Sequence, residues 1–254
     1  MDKNNSLIWA EKARELIEDL KIKENKRILK ASVLIADSIE KGHVTFMFGS
    51  GHSVIPVEET FPRYGGMVGY LPIIEMPLSF FTTFIGNLGF SQFDVLENNE
   101  AYGSAIMKNY IIHESDSMIV YSHSGSTPVT MQVAMDFKGK GGKLISVINE
   151  SRTKSSKSKH SSGKTLMDVS DVVINNQCPI SDVSLNISNV HVGPLSSIAT
   201  ISISNMITIS AVEILIERGI FPTVNPVRGV DSDVDNKMDT VLSLYRKILT
   251  KHLA

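Results

Sequence analysis

Residues 116–127 read Asp-Ser-Met-Ile-Val-Tyr-Ser-His-Ser-Gly-Ser-Thr, and this stretch decides the fold. Its apolar half is typical of a buried strand, and its second half is a loop of hydroxyls and glycine. A helix is predicted to follow, because Pro128 suits a first helical turn. A loop that enters a helix presents unpaired backbone N–H groups and the positive end of the helix dipole. The stretch therefore predicts an anion site between a strand and a helix.

The side chains of this loop favour phosphate as the anion. The hydroxyls of Ser122, Ser124, Ser126 and Thr127 can donate to phosphate oxygens without a buried cation. The alternative is that Ser124 or Thr127 only caps the helix. Capping needs one hydroxyl, so four of them around Gly125 favour a phosphate cradle. His123 lies inside the loop and is predicted to contact the ligand.

Composition limits the other partners. The chain has 254 residues, a formal net charge of -2 and one cysteine, Cys178. No global positive field attracts nucleic acid or an anionic membrane, and an internal disulfide or a multi-cysteine metal site is excluded. The longest apolar stretch, near residues 198–216, is interrupted by polar side chains and is predicted to be a buried helix rather than a membrane span. We predict a cytoplasmic protein.

Strand and helix patterns alternate along the chain. Apolar runs predict strands at 44–48, 67–71, 117–121, 143–149 and 171–175, with helices between them. This alternation predicts a doubly wound, mostly parallel five-stranded α/β sheet. We expect one domain over 1–254, with an N-terminal helical extension (1–41), an α/β core (42–218) and a C-terminal crossing and helix (219–254). Residues 151–164 are polar and basic, which predicts a long loop. A charged break at 21–26 is predicted between two opening helices, and an irregular aromatic segment is predicted at 72–93.

A second loop follows the first predicted strand. Gly51, His52 and Ser53 stand there, and ligands of open α/β sheets bind at carboxyl ends of strands where the strand order reverses. The two loops are therefore predicted to share one ligand, and His52 is expected to contact it. A dinucleotide site is disfavoured because Val54 replaces the third glycine of its fingerprint. A nucleotide P-loop ending at Thr165 is disfavoured because position 158 is serine.

These motifs resemble a known family, the SIS (sugar isomerase) domain of phosphosugar isomerases and phosphosugar-binding regulators. Its Ser-x-Ser-x-x-Thr loop holds the sugar phosphate and matches Ser122, Ser124 and Thr127, while Ser53 matches a serine of its glycine-rich loop. Further matching motifs are Gly51-His52-Ser53, Glu58-Glu59, Gly65-Gly66, His160-Ser161-Ser162-Gly163-Lys164 and Val192-Gly193-Pro194. The chain thus looks like the single-domain subgroup similar to phosphoheptose isomerase.

The resemblance implies an aldose/ketose phosphate isomerase acting through an enediol. That reaction needs a base near the carbon and a polar group for the developing oxyanion. Glu59 is the first candidate base, because phosphoheptose isomerases use a glutamate on the corresponding helix; their different spacing leaves Glu58 open. An ion pair between Glu59 and Arg63, four residues apart, is the structural alternative.

A second catalytic candidate is His191, which precedes the long helix near residues 196–218. Phosphoheptose isomerases draw a histidine from a late helix, so His191 is a candidate acid, base or ring opener. A histidine that bonds neighbouring backbone is the alternative. Phosphoheptose isomerases sometimes carry zinc, yet this chain lacks a cysteine partner and close histidine–carboxylate spacing, so neither a metal nor another cofactor is predicted.

The basic segment 151–164 has two interpretations. A solvated charge run is the usual case, but the serines and the His-x-x-Gly-Lys pattern at its end favour a lid whose His160, Ser162 and Lys164 reach the sugar phosphate. In SIS proteins the ligand commonly lies between subunits, and the apolar faces of the opening helices predict a homo-oligomer, a dimer or tetramer. Packing of those helices within the chain is the alternative.

Two other functions stay open. One is a non-catalytic phosphosugar sensor, although the chain shows no DNA-binding module and is slightly acidic. The other is an etherase or lyase acting on an N-acetylamino-sugar phosphate, which also begins with proton removal next to a carbonyl or a ring-opened aldehyde. The sequence does not separate these reactions.

Overall fold

The computed structural model describes residues 4–79, 83–87 and 89–254. A five-stranded parallel sheet forms its centre, in the order β2-β1-β3-β4-β5. Its strands are β1 (Thr45–Gly49), β2 (Tyr70–Ile73), β3 (Ser117–Ser122), β4 (Lys143–Ile148) and β5 (Val172–Asn175). The strand order reverses between β1 and β3. The predicted fold, a parallel five-stranded α/β sheet flanked by helices, is confirmed.

Helices cover both faces of the sheet. Those described are α1 (Asn5–Asp19), α2 (Asn25–Glu40), α3 (Ile55–Thr60), α4 (Met76–Ser79), α5 (Phe90–Glu97), α6 (Glu100–Met107), α7 (Pro128–Gly139), α8 (Glu150–Ser155), α9 (Leu166–Val169), α10 (Ser196–Glu217) and α11 (Val234–His252). Extra helices at both ends of the chain were predicted and are present.

The central strands are buried on both faces, which explains their continuous apolar sequences. Alternate side chains point to opposite sides of the sheet. Met47 and Ile119 join the core formed with α1, α2 and α10, whereas Phe46 and Met118 join the core formed with α6 and α7.

Helix α10 is long and apolar enough, by length and composition, to cross a membrane. Here it is the central helix of one core, packed along α2. Its polar side chains are used inside the molecule: Thr208 and Ser204 bond the hydroxyls of Tyr70 and Tyr121, at 2.8 Å each. The prediction of a buried helix agrees with these contacts, although Ile209 on its outer side is 58% exposed.

Several local predictions differ from the structure. The segment 151–164 is not a loop throughout, because Asn149 caps a short helix, α8, by accepting from the backbone N–H of Arg152. The predicted break near residues 21–26 is a π-helical turn, Leu20–Glu24, which joins α1 to α2. An irregular segment was predicted at 72–93; residues 80–82 and 88 lie outside the described part, and β2, α4 and α5 occupy much of the rest.

An antiparallel hairpin was missed. Strands β6 (Val183–Ile187) and β7 (Val190–Pro194) pair with each other beside the main sheet. Their two-residue turn, Ser188 and Asn189, has positive φ at both positions, as type I′ hairpin turns require. Alternating valine, leucine and isoleucine on either side of Asn189 was the sequence signal that could have found it.

Candidate functional site

The loop between β3 and α7 gathers its hydroxyls in one place. The Ser122 Oγ accepts from the backbone N–H of Gly125 at 3.1 Å, and Ser124 Oγ lies 3.1 Å from Thr127 Oγ1. Thr127 stands at the N-cap of α7, yet its side chain makes no capping hydrogen bond. Capping therefore does not account for the Thr127 hydroxyl, and Ser124 and Thr127 present a pair of hydroxyls at a helix N-terminus.

Two short helices hold this loop in shape. Gly125 has φ +63°, and a Cβ there would lie 2.6 Å from Oγ1 of Thr153 in α8. Thr153 Oγ1 donates to the carbonyl of Ser124 at 2.9 Å, and the Gly125 carbonyl accepts from the N–H of Leu166 at 2.8 Å. The loop is thus fixed before any ligand arrives, which lowers the entropy cost of binding.

The glycine-rich loop after β1 lies next to it. Strands β1 and β3 are paired, and Gly49 is opposite Tyr121, so the two loops leave the same edge of the sheet. A Cβ on Gly49 would come 2.0 Å from the Ser53 carbonyl, so only glycine permits this tight turn. A 3-10 turn, Gly51–Val54, follows and leaves His52 exposed and Ser53 partly exposed. The structure places Gly51, His52 and Ser53 at the edge where they were predicted.

The two glutamates of α3 have different surroundings. Glu59 forms an ion pair with Arg63, as the structural alternative predicted, and its side chain is 31% exposed. Glu58 has one carboxylate oxygen, Oε1, that is buried and accepts no hydrogen bond from the described residues. Glu58 therefore has an oxygen without a hydrogen-bond partner among the described residues, whereas Glu59 is already paired with Arg63.

A third carboxylate, Glu97, was missed. It stands at the end of α5, and its Oε1 accepts from the hydroxyl of Ser50 at 2.6 Å, inside the glycine-rich loop. Burial raises the pKa of Glu97, while the hydrogen bond from Ser50 opposes that shift. Sequence spacing gave no signal, because 47 positions separate the partners and no helix is predicted over the residues of α5.

His123 faces away from the hydroxyls of its own loop. Its Nε2 donates to the Ile180 carbonyl at 3.1 Å, since a carbonyl only accepts, and Nδ1 accepts from the amide of Asn176 at 3.2 Å. Both ring nitrogens are therefore engaged. The predicted ligand contact of His123 would break one of these bonds or use its carbon edge.

The proposed lid residues are held against α6 and α7. His160 is 5% exposed, and its ring bonds Gln132 at 3.0 Å and Ser162 at 2.8 Å. Ser161 donates to Glu100 at the start of α6. Ser162 and Lys164 are exposed, and within the described chain none of their hydrogen bonds reaches residues 122–127. These contacts give His160 a structural position and do not bring the three residues to the cradle.

His191 lies in the hairpin. It is exposed on β7, opposite Asn186 of β6. No hydrogen bond among the described residues joins it to the cradle or to α3, so the structure does not bring it together with Glu58 or Glu59. Within residues 4–79, 83–87 and 89–254, the metal-ligating side chains that converge are His43, Asp116 and His252, at the opposite edge of the sheet.

Known proteins share this architecture. Among solved structures, the phosphoheptose isomerase from Francisella tularensis has a TM-score of 0.53 at 12% identity, covering 83% of this chain and 98% of its own. The Vibrio vulnificus NanR protein, complexed with ManNAc-6P, has a TM-score of 0.50 at 10% identity, covering 98% of this chain and 70% of its own. At such identities the likeness shows the fold alone.

Sequence comparison gives the family. A UPF0309 protein from Geobacillus sp. strain WCH70 is 32% identical over 235 residues, which is 91% of this chain and 92% of the relative. Another, from Thermoanaerobacter pseudethanolicus, is 29% identical over 97% of this chain and 99% of its own. The model of the SIS domain matches residues 8–149, more than half of the chain. The chain therefore belongs to the SIS domain family, as its serine loops predicted.

Proposed function

We propose that this protein binds a phosphorylated sugar at the cradle and isomerises it between aldose and ketose. The observation that carries the proposal is the adjacency of the two loops: the hydroxyls of Ser122, Ser124 and Thr127 and the loop with Ser53 leave one edge of the sheet. Hydroxyls and a helix N-terminus suit a phosphate group. The family contributes the substrate class, since its members bind phosphosugars.

We assign proton transfer to carboxylates next to the glycine-rich loop: those of α3, the helix that follows the loop, and Glu97, which bonds Ser50 in it. In the aldose-to-ketose direction a base takes the C2 proton, the carbonyl oxygen at C1 gains a proton to give the enediol, and C1 then receives a proton as the C2 hydroxyl loses one. Glu58 or Glu59 is the proposed base on α3. Glu97, whose pKa is raised by burial, is proposed to hold the proton that the sugar oxygen needs. His52 and Ser53 are proposed to contact the substrate.

The test follows washout of a carbon-bound proton into D2O, from C2 of an aldose phosphate or from C1 of a ketose phosphate, whose C2 carries no hydrogen. The full chain is incubated in D2O with a panel of aldose and ketose phosphates, and exchange is read by mass spectrometry. We expect washout in at least one substrate, lost in Glu58→Gln or Glu59→Gln and kept in Glu15→Gln, an exposed glutamate of α1. Washout accompanied by cleavage of an ether substituent of the sugar, or by formation of an alkene, would instead indicate etherase or lyase chemistry.

A sensor is the second candidate, and one observation favours it: Glu59 is already neutralised by Arg63. The NanR likeness fits a binding role, because that protein was solved with a sugar phosphate. Tight phosphosugar binding with no washout across the panel would establish the sensor and end the isomerase proposal. The proposal also holds that residues 1–254 act as one domain, in the cytoplasm, as a homo-oligomer.

A further inference from the structure

Three histidines and an aspartate meet at the amino-terminal edge of the sheet. His43 precedes β1, Asp116 precedes β3, and His252 ends α11, so the cluster joins parts of the chain that are far apart in sequence. Asp116 and His252 are fully buried, and 18% of the His43 side chain is exposed. The length of β3, about 20 Å for six residues at about 3.3 Å each, separates this edge from the cradle.

Two atoms of this cluster that face each other, one on His252 and one on Asp116, are both hydrogen-bond acceptors unless a proton or a metal ion lies between them. His252 Nδ1 lies 3.0 Å from the Ile248 carbonyl, which only accepts, so Nδ1 carries the ring proton. Its Nε2 then faces Asp116 Oδ1 at 3.1 Å with a lone pair, and a carboxylate oxygen also only accepts. Two lone pairs at that distance repel, so either an extra proton or a metal ion lies between them.

The neighbours of Asp116 Oδ1 favour a metal ion. The same oxygen lies 3.0 Å from Nδ1 of His43 and accepts from the Val44 N–H at 3.3 Å, so a further proton from His252 would crowd a third donor onto it. His113 adds a buried Nε2 that has no hydrogen-bond partner among the described residues. Its ring centroid is 5.2 Å from that of His43 and 5.3 Å from that of His252.

We propose that His43, Asp116 and His252 bind a divalent transition metal ion, with zinc as the fitting case. His113 lies next to this group but outside its 4.8 Å spread, and it would move toward the ion as the fourth ligand. Tetrahedral zinc ligands, about 2.1 Å from the ion, lie about 3.4 Å from one another. The observed nitrogen–oxygen separations of 3.0 and 3.1 Å need to widen by only a few tenths of an ångström. Imidazole and carboxylate together suit zinc better than magnesium or calcium, which prefer oxygen alone.

A cleft gives an ion access to the proposed metal site, and one positive charge, on Lys251, lies close enough to compete with it. His43 and His252 line a cleft of about 330 Å³ between the sheet edge and α11, through which an ion can enter. Lys251 Nζ lies 3.4 Å from Nδ1 of His43, the proposed ligand atom, and 3.3 Å from Nε2, and it donates to the Gly42 carbonyl. Because the lysine side chain is exposed, it can move into solvent when the metal arrives.

The site would tie the end of α11 to the core. Asp116 is already fixed by the backbone N–H of His113 at 2.7 Å, and the His252 carbonyl accepts from Ile111 at 2.9 Å. A metal ion would add a further link between helix and sheet. Its predicted effect is on stability, because binding to the folded chain alone raises the free energy of unfolding.

The test titrates zinc chloride into the metal-stripped full chain by calorimetry and follows the melting temperature. We expect one saturable site per chain, a higher melting temperature with zinc, and affinity at least tenfold weaker in His43→Gln and in His113→Gln. His191→Gln, an exposed histidine of the hairpin, is the matched control and should bind zinc as the wild type does.

Cobalt gives a second measurement, because a tetrahedral nitrogen and oxygen site produces intense visible absorption. That absorption should appear with the wild type and be lost in His43→Gln. Absence of saturable zinc binding would overturn the proposal. Equal zinc affinity in His43→Gln and the wild type would overturn it as well.

Discussion

Ser124 and Thr127 are expected to bind the ligand phosphate directly, since their hydroxyls lie 3.1 Å apart at the start of α7. Replacing either with alanine should weaken phosphosugar binding by about 1.5–3 kcal/mol, the value of a hydrogen bond to a charged group. Calorimetry with a bound phosphosugar measures the loss. Thr250→Ala, which removes an exposed hydroxyl of α11, is the control. Unchanged affinity in both cradle variants would remove the cradle from the proposed site.

Glu97 gives a pH-dependent prediction. Burial raises its pKa in the folded protein, so the fold holds the proton more tightly than the unfolded chain does. Its contribution to stability is full below the ordinary glutamate pKa and is lost as the pH rises through the raised value. Over that window the free energy of unfolding of the wild type should therefore fall relative to Glu97→Gln.

Urea unfolding at a series of pH values measures this difference. Ser50→Ala removes the hydrogen bond that lowers the pKa of Glu97, so it should move the window to higher pH. A pH profile of the wild type parallel to that of Glu97→Gln would contradict the assignment of a raised pKa.

Which residues form the site was only partly predictable. Ser122, Ser124 and Thr127 follow from local sequence, because a strand, a hydroxyl loop and a helix are consecutive in the chain. Glu97 and the His43–Asp116–His252 cluster depend on contacts between distant segments, which no local pattern encodes. His160 was predicted to belong to a lid because its segment is basic, yet Gln132 and Ser162 engage its ring.

At the scale of elements, the π-helical turn between α1 and α2 has a structural use. It carries Glu24, which is 2% exposed and accepts from Arg27, from the N–H of Asn175 and from the Gln177 amide. The turn therefore connects the N-terminal helices to the end of β5. Sequence analysis predicted only a charged break there, because Glu24 looks like one more surface charge until its tertiary partners are known.

Glu24→Ala should lower the free energy of unfolding by about 3 kcal/mol, because the N–H of Asn175 and the amide of Gln177 lose a charged acceptor, while the half-exposed Arg27 keeps its second partner Glu150. Chemical denaturation measures the change. Glu18→Ala, which breaks an exposed pair with Lys21, should change stability by less than about 0.5 kcal/mol. Equal effects of the two substitutions would contradict the role of the turn.

The sequence predicted the order of strands and helices better than it predicted the residues at which each element begins and ends. Alternation of apolar strands and helices fixes a parallel sheet, because parallel strands require a crossover between them. The strand predicted at 67–71 is instead β2 at Tyr70–Ile73, and the hairpin of β6 and β7 was missed. Pairing with β1 sets the ends of β2, and pairing is not visible in one strand alone.

At the scale of the whole molecule, apolar surface remains uncovered. Ala13 and Leu16 of α1 pack within the chain, in agreement with the intrachain alternative, but Leu7 is 67% exposed. On α10, Ile209 and Ile216 are also exposed. A helix that is apolar all round is ordinarily buried, so these side chains favour association with a second copy.

Light scattering should therefore give a mass of at least twice the 27.9 kDa of one chain. Ile209→Asp places a charge on the exposed side of α10 and should shift the mass toward that of the monomer. Asp239→Asn, on an exposed position of α11, is a control that alters charge without removing apolar surface. A monomeric wild type at micromolar concentration would refute the expected oligomer.

The cradle loop, residues 122–127, contains no lysine or arginine. It is proposed to bind a dianion through direct hydrogen bonds from hydroxyls and backbone amides. Dissolved salt screens such short contacts little, because it chiefly weakens the attraction between exposed charges that are farther apart. Raising the potassium chloride concentration from dilute to physiological is therefore expected to leave the dissociation constant nearly unchanged. A protein built in this way keeps its occupancy steady while the ionic strength around it varies.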